Sequence, residues 1–280
     1  MNLVTGYGGL LQFCSAAFYG IGAYAYALLS VGNSTTLPGN LIFSTAVPFP
    51  LALAGSAAVG ALAAFAIGMI CLRFRGDSFV FATLGFQMIV YTLLYNWTAL
   101  DGGAYGISAI PRPSIRGWKV ETLADYSLLV LLVDALLLLV LFVLYRSPFG
   151  LSLKALRDNE RAAESLGISA FGQQLTAFVI AGSFSAVAGA LFASYMTYID
   201  PTSFDLRESI FLLAILLLGG IGNIRGPIIG ASIMVLLPEL LRFMGLPDSS
   251  APNIREIVYG LALIGLMFWR TKGLAGDYSL

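Results

Sequence analysis

No histidine occurs among the 280 residues, and only 11% of them are charged. The first absence removes the commonest general base and the commonest metal ligand. The second does not fit water as the solvent, since a soluble domain carries roughly a quarter charged residues. Cysteine is nearly absent too. Cys14 and Cys71 stand far from any C-x-x-C spacing, so they read as small buried hydrophobes, not as a disulfide or a metal site. The start, Met1 to Gly9, is glycine-rich and lacks the basic region of a cleavable signal. No G-x-x-x-x-G-K-[ST] loop is present to cradle phosphates. Lys+Arg and Asp+Glu balance at 15 each, which argues against a nucleic-acid partner.

What is there is apolar: 58% of the chain is hydrophobic and the mean hydropathy is +0.86. A spanning helix needs roughly 20 predominantly apolar residues. That requirement predicts about eight segments, near 10–31, 48–72, 78–97, 126–145, 172–198, 208–221, 227–245 and 253–269. The expected class is therefore all-α, a polytopic membrane helical bundle, with 1–280 forming a single transmembrane domain. Lys and Arg concentrate on the cytoplasmic side of membrane proteins. One set of alternating loops holds nine of them, including Arg73, Arg75, Arg146, Arg157 and Arg225, against six in the other set. This places 146–171 and the C-terminus in the cytoplasm and 98–125 outside. Small residues four apart let membrane helices approach closely. Ser56, Gly60, Ala64 and Gly68 make one such ridge, and Gly182, Ala186 and Ala190 another.

Asp134 stands deep in the fourth segment, where a charge costs about 2.5–3.5 kcal/mol on insertion scales. A lone carboxylate with no basic or histidine relay in its helix is thin support for proton coupling. It reads better as a structural or interface residue. Glu239 and Arg242, three apart, read as a local pair. The glycine-rich GGIGNIRGP (219–227) reads as a tight turn in which Gly226 and Pro227 open the next helix. With no histidine and no clustered carboxylates in the spans, no catalytic constellation is on offer: no catalytic residue, cofactor site or metal site is assigned.

The most informative stretch is RSPFGLSLKALRDNERAAESLG, Arg146 to Gly167. It is too charged to span. Phe149, Leu153, Leu156, Ala163 and Leu166 recur near helical spacing, so a short amphipathic helix is expected over 149–167, with Gly167 as its stop. On the residues alone two readings stand open. The helix rests on lipid or connects two spans, or it docks into a groove on a cytosolic partner.

The order of residues resembles the permease family of branched-chain amino acid ABC importers, of the LivM type. The family's loop pattern R-x-x-F-G-x-x-L-x-A-x-R-D/E-N-E-x-A-A-E-x-L-G-I is matched from Arg146 through Phe149, Gly150, Leu153, Ala155, Arg157, Asp158, Asn159, Glu160, Ala162, Ala163, Glu164, Leu166 and Gly167 to Ile168. Similar likenesses lie in GGLLQFCSAAFYGIGAY (9–25), LYNWTALDGGAYGISAIP (94–111), AFVIAGSFSAVAGAL (177–191) and LGGIGNIRGPIIGA (218–231). The chain departs from the family at Ser15, where many relatives carry histidine, at Cys14, and at Asp101. It also departs at Met88 and Tyr91, where an acidic and a basic residue are common. The family's usual first helix is expected to be missing from this N-terminus.

The resemblance implies half of the translocation pathway of an ATP-driven importer in a bacterial or archaeal inner membrane. The cargo would be branched-chain or related small amino acids delivered by an extracytoplasmic binding protein. It implies as partners a second, LivH-like permease subunit, two ATP-binding cassette subunits and that binding protein, with ATP hydrolysed on partner chains and no cofactor here. It implies ATPase docking through Phe149, Gly150, Leu153, Leu156, Glu160, Ala162, Ala163, Glu164 and Gly167. Gln12, Ser15, Thr83 and Gln87, polar residues in apolar helices, are the candidates for the substrate path; each can equally hydrogen-bond a neighbouring helix. Two alternatives stand beside this reading: a stand-alone secondary transporter or channel for a small polar solute, and the same permease family importing urea or amides.

Overall fold

The computed structural model describes residues 1–31, 47–98, 102–115, 118–120, 122–243, 260 and 273–276. It divides into two compact units, Leu11–Ser209 and Met1–Leu10 with Ile210–Leu280.

The larger unit is built around α1 (Ser15–Val31), which packs against α2 (Phe49–Cys71) and α7 (Ala170–Met196). The small-residue ridges meet here. Ser56 on α2 donates its hydroxyl to the Gly22 carbonyl at 2.7 Å and lies 3.2 Å from the Ala186 carbonyl, so one side chain ties three helices together. A Cβ on Gly22 would overlap the Ala186 backbone. Glycine is therefore what lets α1 and α7 touch, and dispersion contacts over that face supply the adhesion that the hydrophobic effect cannot supply in lipid. Phe18 stands edge-on to Phe178 at 5.4 Å and closes the same face.

α3 (Asp77–Asn96) buries Phe79, Thr83, Gln87, Val90 and Leu94 along one stripe. A connection follows with a 3-10 turn at Gly103–Tyr105 and a two-residue antiparallel ribbon, β1 (Ser114–Ile115) with β2 (Trp118–Lys119). Ile107 and Ile199 exchange backbone hydrogen bonds of 2.9 and 3.0 Å beside it. α4 (Leu123–Arg146) starts at Thr122, whose hydroxyl accepts from the Asp125 N–H at 3.1 Å and donates to the Asp125 carboxylate at 2.6 Å. Two short helices come next, α5 (Pro148–Asp158) and α6 (Glu160–Ser165), before α7. Asp200 opens the 3-10 turn Pro201–Phe204 that leads to α8 (Leu206–Gly219).

In the smaller unit, Leu3–Tyr7 form a single wide π turn. The Asn2 amide reaches the 219–227 turn, donating to the Asn223 carbonyl at 2.7 Å and accepting from Gly222 N–H at 3.4 Å. The Asn223 side chain accepts from Gly226 N–H at 2.7 Å, at the start of α9 (Arg225–Phe243). Leu274 and Ala275 donate to the Leu218 and Gly219 carbonyls.

Among the described residues four helices are long and apolar enough to cross a membrane: α2, α3, α4 and α7. The other expected spans differ. The segment 10–31 is helical only from Ser15, because residues 9–14 lack regular structure, and 17 residues reach about 26 Å. The segment 208–221 is a 14-residue helix of about 21 Å, ended at Gly219 ahead of a glycine turn. The segment 253–269, residue 260 apart, and the side chains of Glu239 and Arg242 lie outside the described residues.

Candidate functional site

The single amphipathic helix expected over 149–167 is two helices. Asn159 takes extended backbone angles (φ −157°, ψ 101°) and ends α5 while starting α6. Its N–H donates to Ala155 O at 3.0 Å, and its side-chain oxygen accepts from Ala162 N–H at 3.1 Å. One residue thus satisfies both helix ends, which asparagine does well because its short amide mimics a backbone turn. Pro148 occupies the first turn of α5, where no N–H is needed. Gly150 packs against the last carbonyls of α4, those of Leu144 and Tyr145, which fixes the corner between the two helices. The expected stop at Gly167 is present. Its φ is +86°, its N–H donates to Glu164 O at 2.9 Å, and Ile168 N–H donates to Ala163 O at 3.2 Å. These paired bonds close a helix through a left-handed residue.

The apolar side of the pair is already covered by the chain's own residues. Gly150, Leu153, Leu156 and Ala163 are buried, and Leu156 and Ala163 cluster with Ala170 at the start of α7. Phe149 is half-buried. Glu160 ion-pairs with Arg75 from the α2–α3 connection at 3.3 Å. Of the expected docking residues, Ala162, Glu164 and Gly167 face outward, and two leucines of the pair stand bare beside them, Leu166 at 80% and Leu151 at 66% exposed. A leucine left this bare beside a polar rim is the feature a partner would cover.

The four path candidates come together around the start of α1. Gln87, fully buried, accepts from Ala17 N–H at 2.7 Å and from the Ser209 hydroxyl at 3.3 Å. Its amide nitrogen donates to Phe204 O at 2.9 Å. Ser209 in turn accepts from Ala16 N–H at 2.9 Å. Thr83 accepts from Phe13 N–H at 3.3 Å and donates to Val80 O at 2.9 Å. The Gln12 amide lies 3.4 Å from the Ser15 hydroxyl. A helix that begins inside the molecule leaves its first N–H groups without intrahelical partners. Here Ser209 and Gln87, on other helices, accept from two of them. Gln87 thus makes three hydrogen bonds to the protein's own groups. Ser209 went unseen in the sequence because nothing local announces a bond across 122 residues.

At the start of the 3-10 turn Pro201–Phe204, Asp200 accepts from the hydroxyls of Thr202 and Ser203, each at 2.9 Å, and from Ser203 N–H at 3.0 Å. Burial alone would raise its carboxyl, but these donors outweigh burial and hold it below the usual carboxylate range.

Close-packed long apolar helices, with irregular backbone held by buried side-chain bonds, define a polytopic membrane helical bundle. Within that class the chain belongs to the family described as branched-chain amino acid transport system / permease component, which matches residues 1–267. It is 37% identical, over 98% of its length, to the high-affinity branched-chain amino acid transport system permease protein LivM of Salmonella typhimurium, and it spans 65% of that protein. A probable LivM of Methanocaldococcus jannaschii is 24% identical over 95% of the chain and 80% of the relative. The autoinducer 2 import system permease protein LsrC of Klebsiella pneumoniae is 30% identical over 75% of the chain and 60% of the relative. No solved structure matches.

Proposed function

We propose that the chain is a transport subunit of an ATP-driven ABC importer in a bacterial or archaeal inner membrane. In this reading it forms half of the pathway for branched-chain or related small amino acids, delivered by an extracytoplasmic binding protein. The α5–α6 pair carries the proposal. It is charged, set apart from the spans, and anchored inward by Leu153, Leu156 and Ala163, leaving Leu166 to a partner. An ATPase subunit is the partner, with Ala162, Glu164, Leu166 and Gly167 at the contact. Phe149, Gly150, Leu153, Leu156, Glu160 and Ala163 hold those four in place. A second permease chain, LivH-like, and two ATPase subunits complete the assembly. The branched-chain cargo follows from the greater identity to LivM than to the autoinducer importer.

The chain itself is not an enzyme, so alone it hydrolyses no ATP. Reconstituted with a second permease chain and two ATPase subunits, it supports binding-protein-stimulated hydrolysis. Uptake of leucine, isoleucine or valine into vesicles then survives a protonophore while internal ATP is maintained. Robust hydrolysis by the isolated chain, or uptake that collapses with the proton gradient, would overturn this reading.

A further inference from the structure

Where α4 begins and α7 ends, a cavity of about 360 Å³ opens, with Arg112, Leu123, Tyr126, Tyr195 and Met196 in its lining. Spans end where hydrocarbon gives way to headgroups, so the cavity stands at that level. Its wall has the chemistry of the boundary. The Tyr126 and Tyr195 rings lie 5.0 Å apart, and tyrosine favours this depth because its ring is apolar and its hydroxyl polar. The Tyr126 hydroxyl donates to Leu191 O on α7, which fixes the wall. Leu123 and Met196 are apolar and open, 70% and 49% exposed. Arg112 is exposed too, and the prolines on either side of it restrict the backbone that carries it. Its guanidinium has five N–H donors in a planar fork, more than one partner engages, and the fork fits two oxygens of a phosphate. No carboxylate lines the cavity among the described residues. Asp125, close in sequence, accepts from the Thr122 hydroxyl at 2.6 Å instead.

We infer that this cavity binds the headgroup of an anionic phospholipid, with the phosphate on Arg112 and the acyl chains running past Leu123 and Met196 into the bilayer. Charge selects the headgroup. The lining offers a cation and no carboxylate, so a phosphate that brings no cation of its own fits best, while ethanolamine or choline would set a second positive charge beside the guanidinium. The exposed apolar side chains select lipid over a free anion, since only a lipid gains by covering them. Placement separates the cavity from the residues proposed for the path. Ser194, in the lining, is on one side of α7, and Gly189 and Phe192, which meet Tyr19 of α1, are on the other. A span therefore stands between the cavity and α1.

The test is a lipid titration of the full chain, stripped of lipid in detergent, with native mass spectrometry resolving each bound molecule. Phosphatidylglycerol, phosphatidylethanolamine and phosphatidylcholine with the same acyl chains are compared. The first phosphatidylglycerol binds about tenfold more tightly than the first of either other lipid, the scale of one hydrogen bond to a charged group. Arg112→Gln removes that preference. Leu123→Glu, which adds a carboxylate beside the same cavity and leaves Arg112 in place, reduces it as well. Arg207→Gln, at an exposed cation outside the cavity, retains it. Equal affinity for the three lipids, or a preference that survives both Arg112→Gln and Leu123→Glu, overturns the inference. Displacement of phosphatidylglycerol by excess inorganic phosphate overturns it too, because the site then takes a free anion. Displacement by leucine likewise overturns it, because the cavity then belongs to the cargo. None of these outcomes touches the permease reading, which is tested by ATP-dependent uptake.

Discussion

Leu166→Asp should weaken ATPase binding without disturbing the chain that carries it. Leu166 is 80% exposed, so in the free subunit its replacement changes stability by no more than about 0.5 kcal/mol. Covered by a partner, a leucine gains about 1.5–3 kcal/mol from burial. An aspartate in the same place loses that gain and adds the desolvation of a carboxylate, about 1–3 kcal/mol or more. The sum is at least about 2.5 kcal/mol, about sixtyfold or more in dissociation constant at about 1.4 kcal/mol per tenfold. Ala163→Asp is the contrasting variant. Ala163 is 2% exposed against Leu156 and Ala170, so the carboxylate falls inside the subunit's own cluster and loosens the α5–α6 pair itself. Both variants lose the ATPase, but only Ala163→Asp makes residues 146–170 sensitive to protease. The assay is titration of the ATPase subunit onto permease complexes in nanodiscs, with limited proteolysis of the same samples. Unchanged affinity and unchanged ATP turnover in Leu166→Asp would refute docking at this face.

Gly167→Val forces a β-branched residue to φ near +86° and should cost about 1–2 kcal/mol by strain alone, since open space surrounds the position. Gly167→Asn should be tolerated, and protease resistance of the loop distinguishes them. Gln87→Leu leaves Ala17 N–H and Phe204 O unpaired in the interior, at about 1–3 kcal/mol for each group, and should lower the melting temperature in detergent well beyond Thr92→Val on the exposed side of α3. Asp200 has a depressed folded-state pKa, so its contribution is present above the unfolded value and is lost as pH falls through the folded one. Hydrogen exchange at Ser203 N–H should therefore show protection relative to Asp200→Ala at neutral pH, and the difference should vanish in strong acid.

The membrane class, the helix-contact ridges and the stop at Gly167 could all be read from the residues. Each depends on local chemistry: apolar length, small side chains at spacing four, and the one residue type at ease with positive φ. Asn159 was legible in principle, since Asp-Asn-Glu is a helix-start signal, but the apolar spacing from Phe149 to Leu166 runs straight through it and concealed the break.

What the residues could not say is which side of each pattern faces which neighbour. Periodicity names an apolar face on the 149–167 stretch but is silent on whether the chain or a partner covers it. Folding α5 and α6 back onto Ala170 turned Leu153, Leu156 and Ala163 inward and left Leu166 out. Gln87 and Thr83 likewise read as lone polar residues in an apolar helix, equally suited to a pore or to a helix contact. Their remote partners, Phe13 just ahead of α1, Ala17 on α1 and Ser209 on α8, are 70 to 122 residues away in sequence, a pairing that only the packed chain brings within hydrogen-bond reach. Local pattern depends on side-chain type and spacing, which a sequence carries in full. The choice of partner depends on distances between remote segments, and those exist only once the chain has folded.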